Sequence, residues 1–125
     1  MCSSDLLLSK GRFLGAQVTA YLDGGHWLDL ARTANARAAR LADGLAALPA
    51  VRLPWPRQAN EVFVIVPRKA EAALKAAGAR YYDWGSRGLE GAERPRQDEV
   101  FLRLVASFAT TEAEVDAFLA TVRAA

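Results

Sequence analysis

The chain has 125 residues, of which 52% are apolar, 9% aromatic and 24% charged, and its formal net charge is +2. This composition is typical of one globular domain and excludes a disordered or collagen-like chain. Apolar runs such as residues 62–66 are far shorter than the roughly 20 residues that cross a bilayer, and the arginines are spread along the chain rather than clustered, so we expect neither a membrane nor a nucleic acid as a partner.

The content of cysteine and histidine limits the chemistry further. One cysteine, Cys2, and one histidine, His26, cannot form an internal disulfide or a Cys-rich zinc site, and we expect no metal. The sequence also shows no signal-peptide pattern, which favours a reducing, cytoplasmic location. Thirteen arginines against three lysines, beside twenty-six alanines, are typical of a GC-rich bacterial genome.

The first six residues match the in-frame translation of the end of a common sequencing adapter, with GTG taken as the start codon. We therefore expect residues 1–6 to be an adapter-derived artefact and the chain to be a gene fragment. Its biological part would be residues 7–125. An unbroken upstream reading frame on a trimmed contig would support this hypothesis, and a genuine promoter before Met1 would contradict it.

The first part of the chain has the apolar spacing of helices. We predict one helix over residues 7–22, which Asp23 and the two glycines after it terminate. A second, longer helix follows over residues 27–48 and ends before Pro49.

From residue 51 the pattern changes to short strands separated by a helix and a loop. In chain order, the predicted elements are a strand at 51–53, a strand at 61–66, a helix at 68–77, a strand at 81–84, a loop at 85–98, a strand at 100–105 and a closing helix after Thr111. Residues 61–66 form a β-branched run typical of a strand buried on both faces. Thr111 and Glu114 form a capping box.

The order of these elements predicts the fold class. Strands and helices alternate only partly, and strand 81–84 can pair with strand 100–105 through the long loop. We therefore predict an α+β fold with a mainly antiparallel sheet, covered by helices on one face, rather than a doubly wound parallel sheet.

Arg103 is the candidate binding residue, because it interrupts an apolar strand between Leu102 and Leu104. Its side chain points to the face opposite theirs. There it either reaches water at an exposed sheet edge or binds an anion, and a guanidinium can hold a carboxylate through two parallel hydrogen bonds. Residue chemistry alone leaves both interpretations open, whereas His26 and Lys10 are weak candidates for catalysis.

Several separated blocks, in order, resemble the small C-terminal domain of the low-specificity L-threonine aldolase family. The blocks include SKGRFLGAQ at residues 9–17, ANEVF at residues 59–63 and LRLVASFATT at residues 102–111. The resemblance covers residues 8–125. It implies that residues 7–125 are the small domain of such an enzyme, without its large cofactor-binding domain.

What the resemblance implies is a lyase of the aspartate-aminotransferase fold type that depends on pyridoxal 5′-phosphate. Such enzymes cleave L-threonine and related β-hydroxy-α-amino acids to glycine and an aldehyde, with the cofactor as electron sink. The Schiff-base lysine of the family belongs to the large domain, so we expect no catalytic residue in this chain and no activity from it alone. The full-length enzyme would be a homo-oligomer acting on a small amino acid.

The resemblance also assigns two arginines. Arg103 matches the arginine that holds the substrate α-carboxylate in the family, and Arg12 matches another arginine near the active site, which contacts cofactor or substrate. Lys10 does not match the Schiff-base lysine, because the chain after it enters a helix rather than a strand.

Two alternatives stay open at this point. The chain could be the small domain of another fold-type-I enzyme, an aminotransferase or a β-eliminating lyase, since these also use a carboxylate-binding arginine. It could instead be a free-standing interaction domain without catalysis, with Arg103 facing solvent. An upstream in-frame Schiff-base lysine favours an enzyme, whereas a true start codon favours the free-standing domain.

Overall fold

The computed structural model describes residues 11–125, so the predictions on residues 1–6, Cys2 and Lys10 lie outside the described residues. Residues 11–125 form four α-helices and three strands. In chain order they are α1 (Gly11–Leu22), α2 (His26–Ala46), β1 (Glu61–Pro67), α3 (Arg68–Ala76), β2 (Tyr82–Asp83), β3 (Glu99–Val105) and α4 (Glu112–Ala124). Single 3₁₀ turns lie at Asp23–Gly25 and Gly91–Glu93.

The strands form one antiparallel sheet in the order β1-β3-β2. β3 is therefore the middle strand, with Arg103 paired to Phe63 of β1 and to Tyr82 of β2. The predicted α+β class, the antiparallel sheet and the pairing of residues 81–84 with 100–105 are confirmed.

One face of this sheet is covered by helices, and we call it the helix-covered face. Because side chains alternate along a strand, every second residue of β1 and β3 points to it, and these are Val62, Val64, Val66, Val100, Leu102 and Leu104. They pack against buried side chains of α2, α3 and α4, such as Leu45, Leu74 and Val115. This is the main hydrophobic core, and it confirms that the helices cover one face.

Helices α2 and α4 approach each other closely over this core. A Cβ atom added at Gly44 would lie 2.8 Å from Cδ2 of Leu119, so the glycine leaves the space that the leucine fills. Arg40 joins the same two helices, donating from Nε and Nη2 to the two carboxylate oxygens of Asp116 at 2.8 and 2.9 Å. The predicted capping box at Thr111 and Glu114 is confirmed at the start of α4.

The other face of the sheet, which we call the open face, carries Glu61, Phe63 and Ile65 of β1 and Glu99, Phe101 and Arg103 of β3. Its half near Phe101 is covered by two loop residues, Trp55 and the buried Leu89. The Trp55 ring packs edge-on against Phe63 and Phe101, with centroids 4.9 and 5.4 Å apart. The half near Arg103 has no such cover from these loops.

Two predicted strands are corrected. Residues 51–53 do not form a strand, because only Arg52 makes a bridge, to Ile65. Pro54 follows at once and has no N–H to continue the pairing. The strand at residues 61–66 is not buried on both faces throughout, since Glu61 and Phe63 are half-buried.

Helix α1 differs from the others because none of its residues is buried. Phe13, Val18 and Tyr21 are each more than half exposed. Gly24 and Gly25, at φ 62° and 71°, form the turn that joins α1 to α2, which confirms the predicted helix end. No helix within residues 11–125 combines the length and hydropathy that a bilayer span requires.

Candidate functional site

Arg103 lies on the middle strand of the open face, toward the end at which Glu61 pairs with Val105. Its strand, β3, pairs with a neighbour on each side, so Arg103 does not lie on an edge strand of this sheet. A residue on a middle strand is held by hydrogen bonds from both neighbours, which suits a rigid binding group. The predicted direction of the side chain, opposite to Leu102 and Leu104, agrees with the structure.

The guanidinium of Arg103 contacts two side chains. Nη2 donates a hydrogen bond to Oε1 of Glu61, and the two side chains form an ion pair in which they are 28% and 34% exposed. The guanidinium carbon lies 5.0 Å from the centroid of the Trp84 ring, a distance at which a cation is attracted to an aromatic face. Trp84 and Glu61 therefore fix the position of the charge.

The donors of Arg103 are only partly used. Nε is buried and has no hydrogen-bond partner within the described residues. Nη1 makes none of the hydrogen bonds within residues 11–125, and the side chain as a whole is 28% exposed. The hydrogen bond to Glu61 raises the pKa of Arg103 above its ordinary value. The group is thus a permanent cation with a free donor.

Apolar side chains surround this cation at the surface. Tyr82, Trp84 and Val105 are 74%, 39% and 51% exposed, and Phe63 packs edge-on against Trp84 with centroids 5.9 Å apart. A charged donor beside exposed aromatic rings is typical of a site for a small polar ligand with an apolar part.

The second ion pair of the open face lies at its other end and has a different character. The carboxylate of Glu99, 9% exposed, accepts hydrogen bonds from Arg52 Nη2 at 2.5 Å and from the backbone N–H of Arg96 at 2.8 Å. Burial alone would raise the pKa of Glu99, but these donors outweigh it and the pKa lies below its usual value of 4.5. Arg52 also donates to the carbonyl oxygens of Ala92 and Arg94, so this pair fixes the loop that covers the face.

Arg12, the other predicted site residue, is not brought to Arg103 by a shared contact. It lies on α1, which packs against the turn at Asp23–Gly25 and against α2. Its guanidinium carbon lies 4.9 Å from the ring of Phe13. His26, at the start of α2, is exposed.

The described residues do not form a site for pyridoxal phosphate by themselves. Such a site requires a lysine amine near the substrate, but Lys69 and Lys75 lie on α3, across the sheet from Arg103. Lys75 also donates to Glu71 at 2.5 Å. Within residues 11–125 no group of His, Cys, Asp or Glu could hold a metal ion either.

Glu61 and Trp84 were missed as site residues by the sequence analysis. Glu61 did carry a signal, because a carboxylate at the start of an apolar strand falls on the same face as Phe63. The pairing of Glu61 with Arg103, however, depends on the register between β1 and β3, and the residues next to Glu61 in the sequence do not specify that register.

Comparisons with known proteins agree with the resemblance seen in the sequence. No protein-family model matches the chain. A low specificity L-threonine aldolase of Pseudomonas sp. (strain NCIMB 10558) is 36% identical over 118 residues, which are 94% of this chain and 31% of the relative. Another, of Pseudomonas aeruginosa, is 40% identical over 82 residues, which are 66% of this chain and 24% of the relative.

Solved structures give the same result at the level of the fold. A threonine aldolase of Leishmania major superposes with a TM-score of 0.74 and 28% identity, covering 94% of this chain and 32% of that one. An aminotransferase of Streptoalloteichus hindustanus has a TM-score of 0.52 and 20% identity over 77% of this chain and 31% of that one, a likeness of fold alone. The chain is therefore related in sequence and in fold to the low-specificity L-threonine aldolases, and it spans about a third or less of their length.

Proposed function

We propose that residues 7–125 are the small C-terminal domain of a lyase that cleaves L-threonine and related β-hydroxy-α-amino acids to glycine and an aldehyde. Its role is to hold the α-carboxylate of the substrate through Arg103. One observation carries this proposal: Arg103 places a permanent cation with a free donor on the middle strand, in a chain 36% identical to a low specificity L-threonine aldolase.

The geometry of the open face supports this role in three ways. The pairing of β3 on both sides limits movement of the Arg103 backbone. The ring of Trp84 limits rotation of the guanidinium. A carboxylate reaching Nη1 and Nη2 would form two parallel hydrogen bonds, which fix its direction as well as its distance. A substrate held in this way presents its remaining atoms in one orientation.

The cofactor and its chemistry belong, in this proposal, to the rest of the parent enzyme. Pyridoxal phosphate, when bound there, supplies the electron sink for cleavage of the Cα–Cβ bond. Residues 11–125 supply the carboxylate anchor, and Arg12 reaches cofactor or substrate only when α1 packs against the large domain. The isolated chain is then inactive, and the parent enzyme is a cytoplasmic homo-oligomer. Residues 1–6 remain, in this view, adapter-derived.

A second candidate follows from the likeness of fold to an aminotransferase. The same arginine would hold the α-carboxylate of an amino-acid substrate, so Arg103 has one role in both cases. The reaction would differ through residues elsewhere in the parent enzyme. Recovering the upstream reading frame and assaying the complete enzyme for aldehyde release or for amino transfer separates the two.

The role of Arg103 can be tested in the 125-residue chain itself. We expect L-threonine, titrated into the protein, to shift the NMR signal of the Arg103 Nε–H and that of the Trp84 indole. L-threoninamide, which lacks the carboxylate, should leave them unchanged. Arg103→Lys keeps the charge but loses the two-pronged geometry, so binding should weaken about tenfold or more.

The matched control is Arg123→Lys, which makes the same exchange at an exposed position on α4. It should bind L-threonine as the unchanged protein does. Equal responses to the acid and the amide, or equal binding by the unchanged protein and Arg103→Lys, would overturn the proposed function.

A further inference from the structure

We propose that Glu61 competes with the ligand carboxylate for Arg103 and thereby sets how strongly, and how selectively, the site binds. This inference rests on the proposed function, since it concerns the same arginine. Glu61 is the first residue of β1, lies on the open face and accepts a hydrogen bond from Arg103 Nη2. It occupies, with its own carboxylate, a donor that an incoming carboxylate requires.

The pairing between Glu61 and Arg103 is incomplete. A carboxylate can take two parallel hydrogen bonds from a guanidinium, but only one joins these two side chains. Within residues 11–125, Arg103 Nε stays without a partner and Nη1 makes no hydrogen bond. A ligand carboxylate that engages both Nη atoms therefore gains a hydrogen bond that Glu61 does not make.

The charge of Glu61 also disfavours binding of a second anion at Arg103 as long as Glu61 stays in place. The ion pair leaves the local charge close to zero, so the site attracts anions less than a lone arginine would. Two carboxylates on one guanidinium also repel each other. Binding is thus an exchange, in which the ligand replaces Glu61 rather than joining it.

Glu61 has room to leave. Its side chain is 34% exposed, and it borders an open hollow of about 580 Å³ whose lining includes Trp55, Gln58 and Asn60. Turning into that hollow returns the carboxylate to water without breaking the core. Glu99 is the contrast on the same face, because it is 9% exposed and accepts from both Arg52 and Arg96. The ion pair of Glu99 therefore stabilises the fold, whereas a ligand carboxylate can replace Glu61 in its ion pair with Arg103.

The exchange affects charged and uncharged ligands differently. Because Glu61 carries the same charge as a ligand carboxylate, it lowers the affinity for carboxylates more than the affinity for a neutral amide or alcohol. Removing the charge of Glu61 should therefore strengthen binding of L-threonine more than binding of L-threoninamide.

The test is a titration of the 125-residue chain with L-threonine and with L-threoninamide, observed at the Trp84 indole N–H in every variant and also at the Arg103 Nε–H wherever the arginine is present. Glu61→Gln keeps an oxygen acceptor but removes the charge, and Glu61→Ala removes both. We expect both variants to bind L-threonine about two- to fivefold more tightly, the range of a partly exposed ion pair. Glu93→Gln, in the turn at Gly91–Glu93, makes the same charge change away from Arg103 and should bind as the unchanged protein does.

Each outcome has one meaning. Unchanged or weaker binding by Glu61→Gln and Glu61→Ala, with Arg103→Lys still impaired, overturns the competition and leaves the proposed function intact. Weaker binding by Glu61→Ala alone would make Glu61 a positioning residue and also overturns it. If the unchanged protein shows no binding at any L-threonine concentration, both the inference and the proposed function fail. Backbone NMR spectra establish that each variant is folded.

Discussion

The two faces of the sheet are built from the same strands but have different compositions. The helix-covered face is apolar along its whole length, and Val62, Val64 and Leu102 on it are almost completely buried. The open face changes along its length, from the buried Phe101 to the half-buried Arg103. Because the side chains of a strand alternate, β3 supplies the core and the candidate site with different residues. Stability and recognition can therefore vary separately in this domain.

The strongest test of this division is Leu102→Ala. Leu102 lies on the middle strand and is 0% exposed on the helix-covered face, so the change leaves a cavity and should lower the free energy of unfolding by about 2–5 kcal/mol. Urea denaturation measures the loss. Val105→Ala, on the same strand but at a position 51% exposed, should cost less than about 1 kcal/mol. Equal losses would contradict the assignment of the core to one face.

The second test concerns Glu99 on the open face. Its pKa lies below the usual value of 4.5 in the folded protein, so its contribution to stability is present above pH 4.5 and is lost as the pH falls through the lower folded value. Glu99→Gln should cost about 1–3 kcal/mol at pH 7, because Arg52 and the backbone N–H of Arg96 lose a buried, charged acceptor. The difference from the unchanged protein should shrink as the pH falls below 4.5 and through the lower pKa of the folded state.

Urea denaturation at several pH values measures this dependence. Glu93→Gln is again the control, as Glu93 is exposed. A difference between Glu99→Gln and the unchanged protein that is the same at pH 7 and pH 3 would show that the ionised carboxylate of Glu99 does not stabilise the loop.

The smallest change in the free energy of unfolding is expected for a double variant that loses ligand binding. In the double variant Glu61→Leu/Arg103→Leu, the partly exposed ion pair is replaced by two apolar side chains. The free energy of unfolding should change by less than about 1 kcal/mol in either direction, while the response to L-threonine disappears. If urea denaturation shows that the free energy of unfolding falls by more than about 2 kcal/mol, the ion pair stabilises the fold. The two faces would then not differ in their contribution to stability.

The local features of the fold could be predicted from the sequence because they depend on neighbouring residues. The apolar spacing predicted α1 to α4, and the three-residue separation of Thr111 and Glu114 predicted the cap of α4. Alternation around Arg103 predicted the direction of its side chain. The strand predicted at residues 51–53 was wrong, because the missing N–H of Pro54 outweighs the β propensity of its neighbours.

The partners of Arg103 could not be predicted in this way. Glu61 and Trp84 reach it through the pairing of three strands that are far apart in the chain. A shift of one residue in either register would send these side chains to the other face. The cation of the candidate site can therefore be predicted from the sequence, whereas the residues that contact it depend on the tertiary structure.

The turn at Asp23–Gly25 also marks a natural boundary for engineering. Among residues 11–125, every buried side chain lies after this turn, since neither α1 nor the turn buries a residue. Its two glycines have positive φ angles, a conformation that few other residues adopt at low cost. A shortened chain beginning at His26 would keep the whole described core, and a fusion partner could replace α1 without entering it. The turn is therefore a place to cut or to graft.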